Sequence, residues 1–333
     1  MSDLTDSGVM LRLVYQAMCK LGLDANAVLT KIGASTEWLN DPHLRTPHAA
    51  QDLFWKAVQS VSNDPDIGLH LGENLPVYRG QVIEYLFLSS PTFGEGLTRA
   101  LNYTRLLSDA VQGRLIQGAE RSYLVSDISN SGFRQLTECA VAGIARFFEY
   151  VTENQFRLRE IWFTHETGAS AEEYQRVYGC DVKLGQKETR LYFDTALLAH
   201  PSHHAEPELL RLHEQVASEK VAALERQDLI SNVKRAIGEI LESGDVTLES
   251  VAGRLNMKSR DLRMRLQDAG TNFNQVFNDY RCRLARRLLA KTDESIDQIV
   301  YLTGFSEPST FYRAFKRWVG ETPVEYRKRK QQA

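Results

Sequence analysis

The sequence predicts two parts of different fold class. The first is an α+β part, mainly helical with a small antiparallel sheet, and the second is an all-α part with two helix-turn-helix units. Three observations predict this. Residues 1–207 mix helical apolar stripes with short β-branched and aromatic runs, whereas residues 229–330 carry helical stripes alone. Inside the second part, a helix–turn–helix segment recurs about fifty residues further on. The formal net charge of −3 divides unevenly, with 20 Lys and Arg against 29 Asp and Glu in residues 1–225 and 20 against 14 in residues 226–333. A basic module tied to an acidic one is the pattern expected when one end meets a polyanion.

A chain of 333 residues accommodates two domains, and 43% hydrophobic with 25% charged residues is an ordinary globular composition. It argues against a disordered chain, a collagen-like chain or a small disulfide scaffold. No run of about eighteen apolar residues suggests a membrane span. Asp3 and Asp6 stand where a secretory signal would carry Lys or Arg. The expectation is a cytoplasmic protein without membrane association. Cys19, Cys139, Cys180 and Cys282 are far apart and form no CxxC pair, so they read as reduced, mostly buried thiols.

In chain order, helical stripes occupy Val9–Leu21, Ala49–Val61, Thr92–Leu107 and Phe133–Val151. Thr92-x-x-Glu95 is a capping-box arrangement at the start of the third. Strand candidates are Gly113–Gln117, Ser122–Ile128, Glu160–His165 and Arg190–Phe193. His200–Pro207 is a loop with two prolines, and a polar helix follows over residues 208–225. The domain limits read as 1–207, a helical linker 208–228, and 229–330. Seven short helices fill the last part: Asp228–Leu241, then residues 247–255, 259–269, 272–290, 295–303, 308–319 and 322–330. Thr322-Pro323-Val324-Glu325 opens the last with a cap residue, a proline at the first helical position and an acid at the third.

The repeat pairs residues 248–270 with 296–320. Gly304 supplies the positive φ of the second turn, and Asn256 is the next-best residue for the first. Met257 and Phe305 fill the angle between the helices. Leu262 and Leu266, like Phe311 and Phe315, are four residues apart and anchor one helix face inward. The opposite face presents Ser259, Arg260, Arg263 and Gln267 in the first copy. In the second it presents Ser309, Thr310, Tyr312, Arg313 and Lys316, with Arg317 beside them. Exposed Arg, Ser, Thr and Gln on a helix after a short turn suit major-groove reading, since Arg can bind guanine at two atoms. One copy alone would equally fit a helical hairpin with a solvated face; two copies in a basic module favour duplex DNA.

Residues 229–330 resemble the DNA-binding domain of the AraC/XylS family of bacterial transcription regulators. The runs Ile296–Ile299, Gly304–Trp318 and Gly320–Arg327 match that family's signature, and Arg281, Ala285, Leu288 and Leu289 match its linker helix. The resemblance implies seven helices whose two recognition helices enter successive major grooves, about one DNA turn (~34 Å) apart. It departs from the pattern at Met264, where the family often has Arg, which points to apolar contact with a thymine methyl. A looser resemblance, from Leu21–Asp24 through Asp64–Leu69, Leu88–Glu95, Tyr178–Val182 and Leu191–Phe193, is to the arabinose-binding-type N-terminal domain of these regulators. It implies effector sensing and dimerisation, without implying arabinose.

Other constellations are weaker. His200, His203, His204 and His213, in a loop and helix-end setting without Cys or a clear Asp or Glu partner, read as a solvated loop, not a metal site. His165-Glu166 lacks the second histidine of HExxH, Gly94-x-Gly96 lacks a third glycine, and neither a P-loop nor GxSxG occurs. Phe147, Phe148, Trp162 and Tyr192 read as core before pocket lining. Arg281, Arg283, Arg286 and Arg287 read as phosphate neighbours or intradomain partners. The expectation is a non-enzymatic regulator without cofactor or metal. It is a homodimer binding promoter DNA, RNA polymerase and a small-molecule effector, and an activator rather than a repressor. The alternatives are a DNA-binding regulator with no ligand, acting through dimerisation or a protein partner, and an enzyme with a tethered DNA-binding module.

Overall fold

The computed structural model describes residues 4–76, 81–128, 133–241 and 246–331. The chain divides between Val221 and Ala222 into two compact units. The first contains helices α1 (Gly8–Lys20), α2 (Ala25–Lys31), α3 (Gln51–Val61), α4 (Ile67–Asn74), α5 (Val82–Ser89), α6 (Phe93–Asn102), α7 (Arg134–Val151) and α8 (Ala171–Tyr178). Strands β1 (Thr5–Ser7) and β2 (Arg45–Pro47) pair antiparallel. Strands β3 (Val111–Ile116), β4 (Arg121–Ile128), β5 (Glu160–Trp162), β6 (Asp181–Lys183) and β7 (Thr189–Asp194) form a second sheet in the order β3-β4-β7-β5-β6. All its pairings are antiparallel except β5 with β6.

Local chemistry sets these boundaries. Ser7 Oγ, Thr92 Oγ1 and Ser170 Oγ accept first-turn N–H groups and start α1, α6 and α8. On the sheet, alternation sends Leu124, Ile161, Leu191 and Phe193 into the core, where Phe93, Phe148 and Phe156 meet Phe193 in one aromatic cluster. The other face carries Tyr123, Trp162 and Tyr192, with the Arg190 guanidinium 4.7 Å from the rings of Tyr123 and Trp162. Helices α4 and α7 touch at backbone level. A Cβ at Gly68 would lie 2.3 Å from Gln135 Cα, and one at Gly72 would lie 2.8 Å from Cys139 Cα. The buried Glu138 carboxylate of α7 accepts from Arg134 Nε at 2.9 Å and from the Tyr174 hydroxyl.

Three stretches differ from the expectation. The strand expected over Glu160–His165 stops at Trp162, where the chain leaves the ladder for α8. The helix expected over Thr92–Leu107 ends at Asn102 and continues as a single 3₁₀ turn, Thr104–Leu106. The linker helix and the first helix of the last part are one 35-residue helix, α9 (Pro207–Leu241). The charged run Glu225–Asp228 contains neither Gly nor Pro, so nothing there breaks a helix. Within the first unit, α9 buries Ala217, its His213 ring stacks 5.2 Å from Tyr85, and its Glu214 pairs with Arg99 at 2.9 Å.

The second unit holds the remainder of α9 and six more helices: α10 (Leu248–Arg254), α11 (Ser259–Asp268), α12 (Phe273–Lys291), α13 (Ile296–Leu302), α14 (Pro308–Val319) and α15 (Pro323–Gln331). All six lie within two residues of their expected limits. The unit has two cores, one per helix-turn-helix copy. Val233, Ala236, Ile237, Val251, Ala252, Leu262, Leu266 and Val276 form the first. Ala285, Leu289, Ile299, Val300, Phe305, Phe311, Phe315 and Tyr326 lie in the second. Helix α12 supplies residues to both.

Candidate nucleic-acid interface

Each copy is α10–turn–α11 or α13–turn–α14. The turns carry positive φ at Asn256 (54°) and Gly304 (73°). Met257 packs half-buried against the first core, and Phe305 is buried in the second. The anchors Leu262, Leu266, Phe311 and Phe315 are all 0% exposed, which fixes the rotation of α11 and α14 about their axes. The opposite faces therefore point to solvent. Arg260, Arg263, Met264 and Gln267 are exposed on α11, with Ser259 half-buried at its start. Ser309, Thr310, Arg313, Lys316 and Arg317 are exposed on α14, whereas Tyr312 is half-buried against the second core.

The two faces differ in charge. Met264, 55% exposed, lies opposite the α11 anchors, the place Arg313 takes on α14. Gln267 and Asp268 of α11 correspond to Lys316 and Arg317 of α14, and Asp261 corresponds to Thr310. The α14 face thus concentrates three cations, while on α11 the two acids offset part of the charge of Arg260, Arg263 and Arg265. The sequence reading passed over Asp261 and Asp268, although the 49-residue offset of the repeat would have found them.

Four other arginines of the unit hold the fold together. Arg254 pairs with Glu239 at 2.7 Å, Arg327 donates to the Glu294 carbonyl at 2.6 Å, and Arg286 donates to the Tyr326 hydroxyl at 3.2 Å. Arg281 lies with its guanidinium 4.0 Å from the Phe277 ring and 4.3 Å from the Phe305 ring, and donates to the Gly304 carbonyl. It is a brace for the second turn, and burial lowers its affinity for a proton. Arg283 and Arg287 are exposed. By contrast, Arg260, Arg263, Arg313, Lys316 and Arg317 form no ion pair among the described residues.

Helix starts show the same division. Helices α10, α12, α13 and α15 begin with reciprocal side-chain caps at Thr247, Asn272, Ser295 and Thr322. Helices α11 and α14 begin at Lys258 and Glu307 without a side-chain cap bond. On α11 the N–H groups of Ser259, Arg260 and Asp261 face an outside acceptor such as a phosphate oxygen, whereas on α14 Pro308 has no N–H and Thr310 N–H bonds the Glu307 carbonyl at 3.1 Å, which leaves the N–H of Ser309.

Residues 22–202 match the family described as the arabinose-binding domain of AraC transcription regulators, and residues 251–329 match a helix-turn-helix domain family. The chain belongs to the AraC family of transcription regulators. An ornithine utilization regulator of Pseudomonas aeruginosa is 27% identical over 93% of this chain and 92% of its own length. The regulator VirS of Mycobacterium tuberculosis is 31% identical over 57% of this chain and 56% of its own. The crystal structure of the regulator CdpR from Pseudomonas aeruginosa aligns with 91% of this chain and 96% of its own at 18% identity and a TM-score of 0.43. The protein is a transcription regulator with an AraC-type DNA-binding domain at its C-terminal end. No helix among the described residues is long and apolar enough to cross a membrane.

The N-terminal unit of this AraC-family chain contains a cavity of about 290 Å³. Phe147 and Phe148 line it, whereas Trp162 and Tyr192 lie on the other face of the sheet and do not. Trp55 and Asp6, which line it as well, carry no sequence signal that separates them from core residues.

Proposed function

We propose that the protein binds a double-stranded promoter site through α11 and α14 together and regulates transcription from it under the control of a small-molecule effector. Arg260, Arg263 and Arg313 read base edges, with Ser259, Gln267, Ser309, Thr310 and Tyr312 beside them. Lys316, Arg317 and the uncapped helix starts hold phosphates. Met264 contributes apolar contact to a thymine methyl. The observation that carries this reading is the pair of outward faces that the fully buried anchors Leu262, Leu266, Phe311 and Phe315 turn to solvent, with Arg260, Arg263, Arg313, Lys316 and Arg317 exposed on them. The domain organisation is 1–207 for sensing and dimerisation, 208–228 as linker and 229–330 for DNA. In this reading the chain is a cytoplasmic homodimer, a non-enzymatic activator that touches RNA polymerase.

The test is genome-wide mapping of bound sites, followed by titration of the derived motif against random duplex at fixed salt. A preference of about a thousandfold or more for the motif is expected. Equal affinity for both duplexes would reject sequence-specific reading.

A further inference from the structure

The cavity of the N-terminal unit has a chemistry that narrows the effector. Its walls are mostly apolar. Leu97, Phe87 and Phe148 close it inside, and Leu53 and Trp38, 52% and 38% exposed, stand at its solvent side. Among the described residues that line it there is no Lys, Arg or Glu, and Asp6 is the one fixed charge. The Asp6 carboxylate is already satisfied by the protein. It accepts from Ser108 Oγ at 2.6 Å, Gln51 Nε2 at 2.8 Å and His48 Nδ1 at 3.0 Å. A carboxylate or an amino acid entering this space would lose its hydration against hydrocarbon and find no Lys or Arg to pair with, and a polyol would turn most of its hydroxyls to apolar walls. One lining residue carries an unsatisfied donor: the indole N–H of Trp55, 1% exposed, has no hydrogen-bond partner among the described residues. A buried donor of that kind is paired in most folded proteins. The space is about twice the ~150 Å³ of an apolar cavity that takes up benzene.

We propose that this cavity is the effector site, and that its ligand is a predominantly apolar molecule without a carboxylate, which presents a hydrogen-bond acceptor to Trp55 Nε1. This rests on the effector-controlled reading above and specifies its ligand class. It separates this chain from what the family description and the name of its ornithine-related relative suggest, a sugar or an amino acid.

The test uses the full chain and four probes in thermal-shift and calorimetric titrations: 2-acetylnaphthalene, 2-ethylnaphthalene, L-ornithine and L-arabinose. The two naphthalenes share size and differ by one carbonyl acceptor. Both are expected to raise the melting temperature, with the acetyl compound binding about three- to tenfold more tightly. Trp55→Phe keeps a ring and removes the N–H, so it is expected to abolish that preference while retaining both probes. Ala140→Leu fills part of the cavity and is expected to weaken both probes at least tenfold. A response to ornithine or arabinose but to neither naphthalene overturns the ligand class and leaves effector control standing. Naphthalene binding indifferent to Ala140→Leu overturns the site, and a preference that survives Trp55→Phe overturns the role of the indole. Naphthalene binding that obeys both variants yet leaves the affinity for the mapped DNA motif unchanged supports the ligand class and counts against effector control.

Discussion

Arg313 stands at the centre of the α14 face, opposite Phe311 and Phe315, with its guanidinium outside any ion pair among the described residues. A group so placed meets a base edge when the helix lies in a major groove. Arg313→Ala is expected to cost about 1–3 kcal/mol on the specific site and to relax sequence preference at one position. Equal losses on specific and random duplex would assign it to the backbone instead. Lys316 lies beside it as a point charge on a flexible stem, suited to phosphate. Lys316→Ala is expected to weaken binding to all duplexes and to reduce the slope of log K against log salt by about 1, while Gln267→Ala at the matching position of α11 leaves the slope unchanged. A slope insensitive to Lys316→Ala would contradict phosphate contact. The proposed role of Met264 follows the same logic: Met264→Ala, which removes an exposed thioether opposite the anchors, is expected to weaken binding without changing its salt dependence.

The turns decide how each recognition helix is presented. Gly304 has φ of 73°, and a Cβ there would meet Leu241 Cδ1 at 2.7 Å and Arg281 Nη2 at 3.2 Å. Gly304→Ala therefore combines left-handed strain with displacement of the Arg281 brace. It is expected to destabilise by more than the ~1–2 kcal/mol of the strain alone. Asn256→Gly at φ of 54° removes the side chain that is strained there and is expected to change stability by less than about 1 kcal/mol. Denaturant titration of both variants checks the contrast, and equal effects would mean that the Gly304 contacts contribute nothing. In the first unit, His70 of α4 clasps α8, bonding Asp64 through Nδ1 and Glu173 through Nε2 at 2.7 Å. Burial opposes its charge, but the bonds to Asp64 and Glu173 outweigh it and raise its proton affinity. Arg176 and His70 hold Glu173 down to about 2. The His70 contribution is full below about pH 6.5 and is lost as pH rises through its raised value, while that of Glu173 is lost as pH falls from 4.5 towards 2. His70→Gln should thus lower the melting temperature at pH 5.5 more than at pH 8.5; an equal drop at both would remove charge from the clasp.

These elements were not equally legible. The second unit could be read from sequence because Thr247, Asn272, Ser295 and Thr322 are strong cap signals and because long apolar anchors recur in register. Its outward faces follow from the anchors alone. In the first unit α2, α4, α5 and α8 escaped, each only seven or eight residues long. Val82–Ser89 is apolar on most sides and shows no stripe, and Ile67–Asn74 carries two glycines whose role, backbone contact with α7, exists only in the fold. Strand β6 is three residues that pair parallel with β5, a pairing no local pattern announces. The cavity was illegible for the same reason. Its wall residues are ordinary core residues until the fold leaves space between them.

At the scale of the whole chain, sensing and DNA reading are linked only if the ligand distinguishes between states that differ in affinity for DNA. The charge division helps keep the tasks apart, since the excess of acids in residues 1–225 disfavours polyanion contact and the excess of cations lies in residues 226–333. Linkage then makes a demand that holds whatever arrangement the two units adopt. If a cavity ligand changes the affinity for the mapped DNA motif by a factor α, the motif must change the affinity for that ligand by the same α, within the 5- to 150-fold typical of such couplings. Taking 2-acetylnaphthalene as the ligand, its dissociation constant is expected to shift on saturation with the motif duplex by the same ratio as the duplex constant shifts on saturation with ligand. Random duplex is expected to shift it less, because it lacks the base contacts that favour the reading state. Unequal ratios for the motif would mean that the ligand binds a second place outside the cavity, and equal shifts with motif and random duplex would mean that the coupling runs through charge alone and not through the recognition helices.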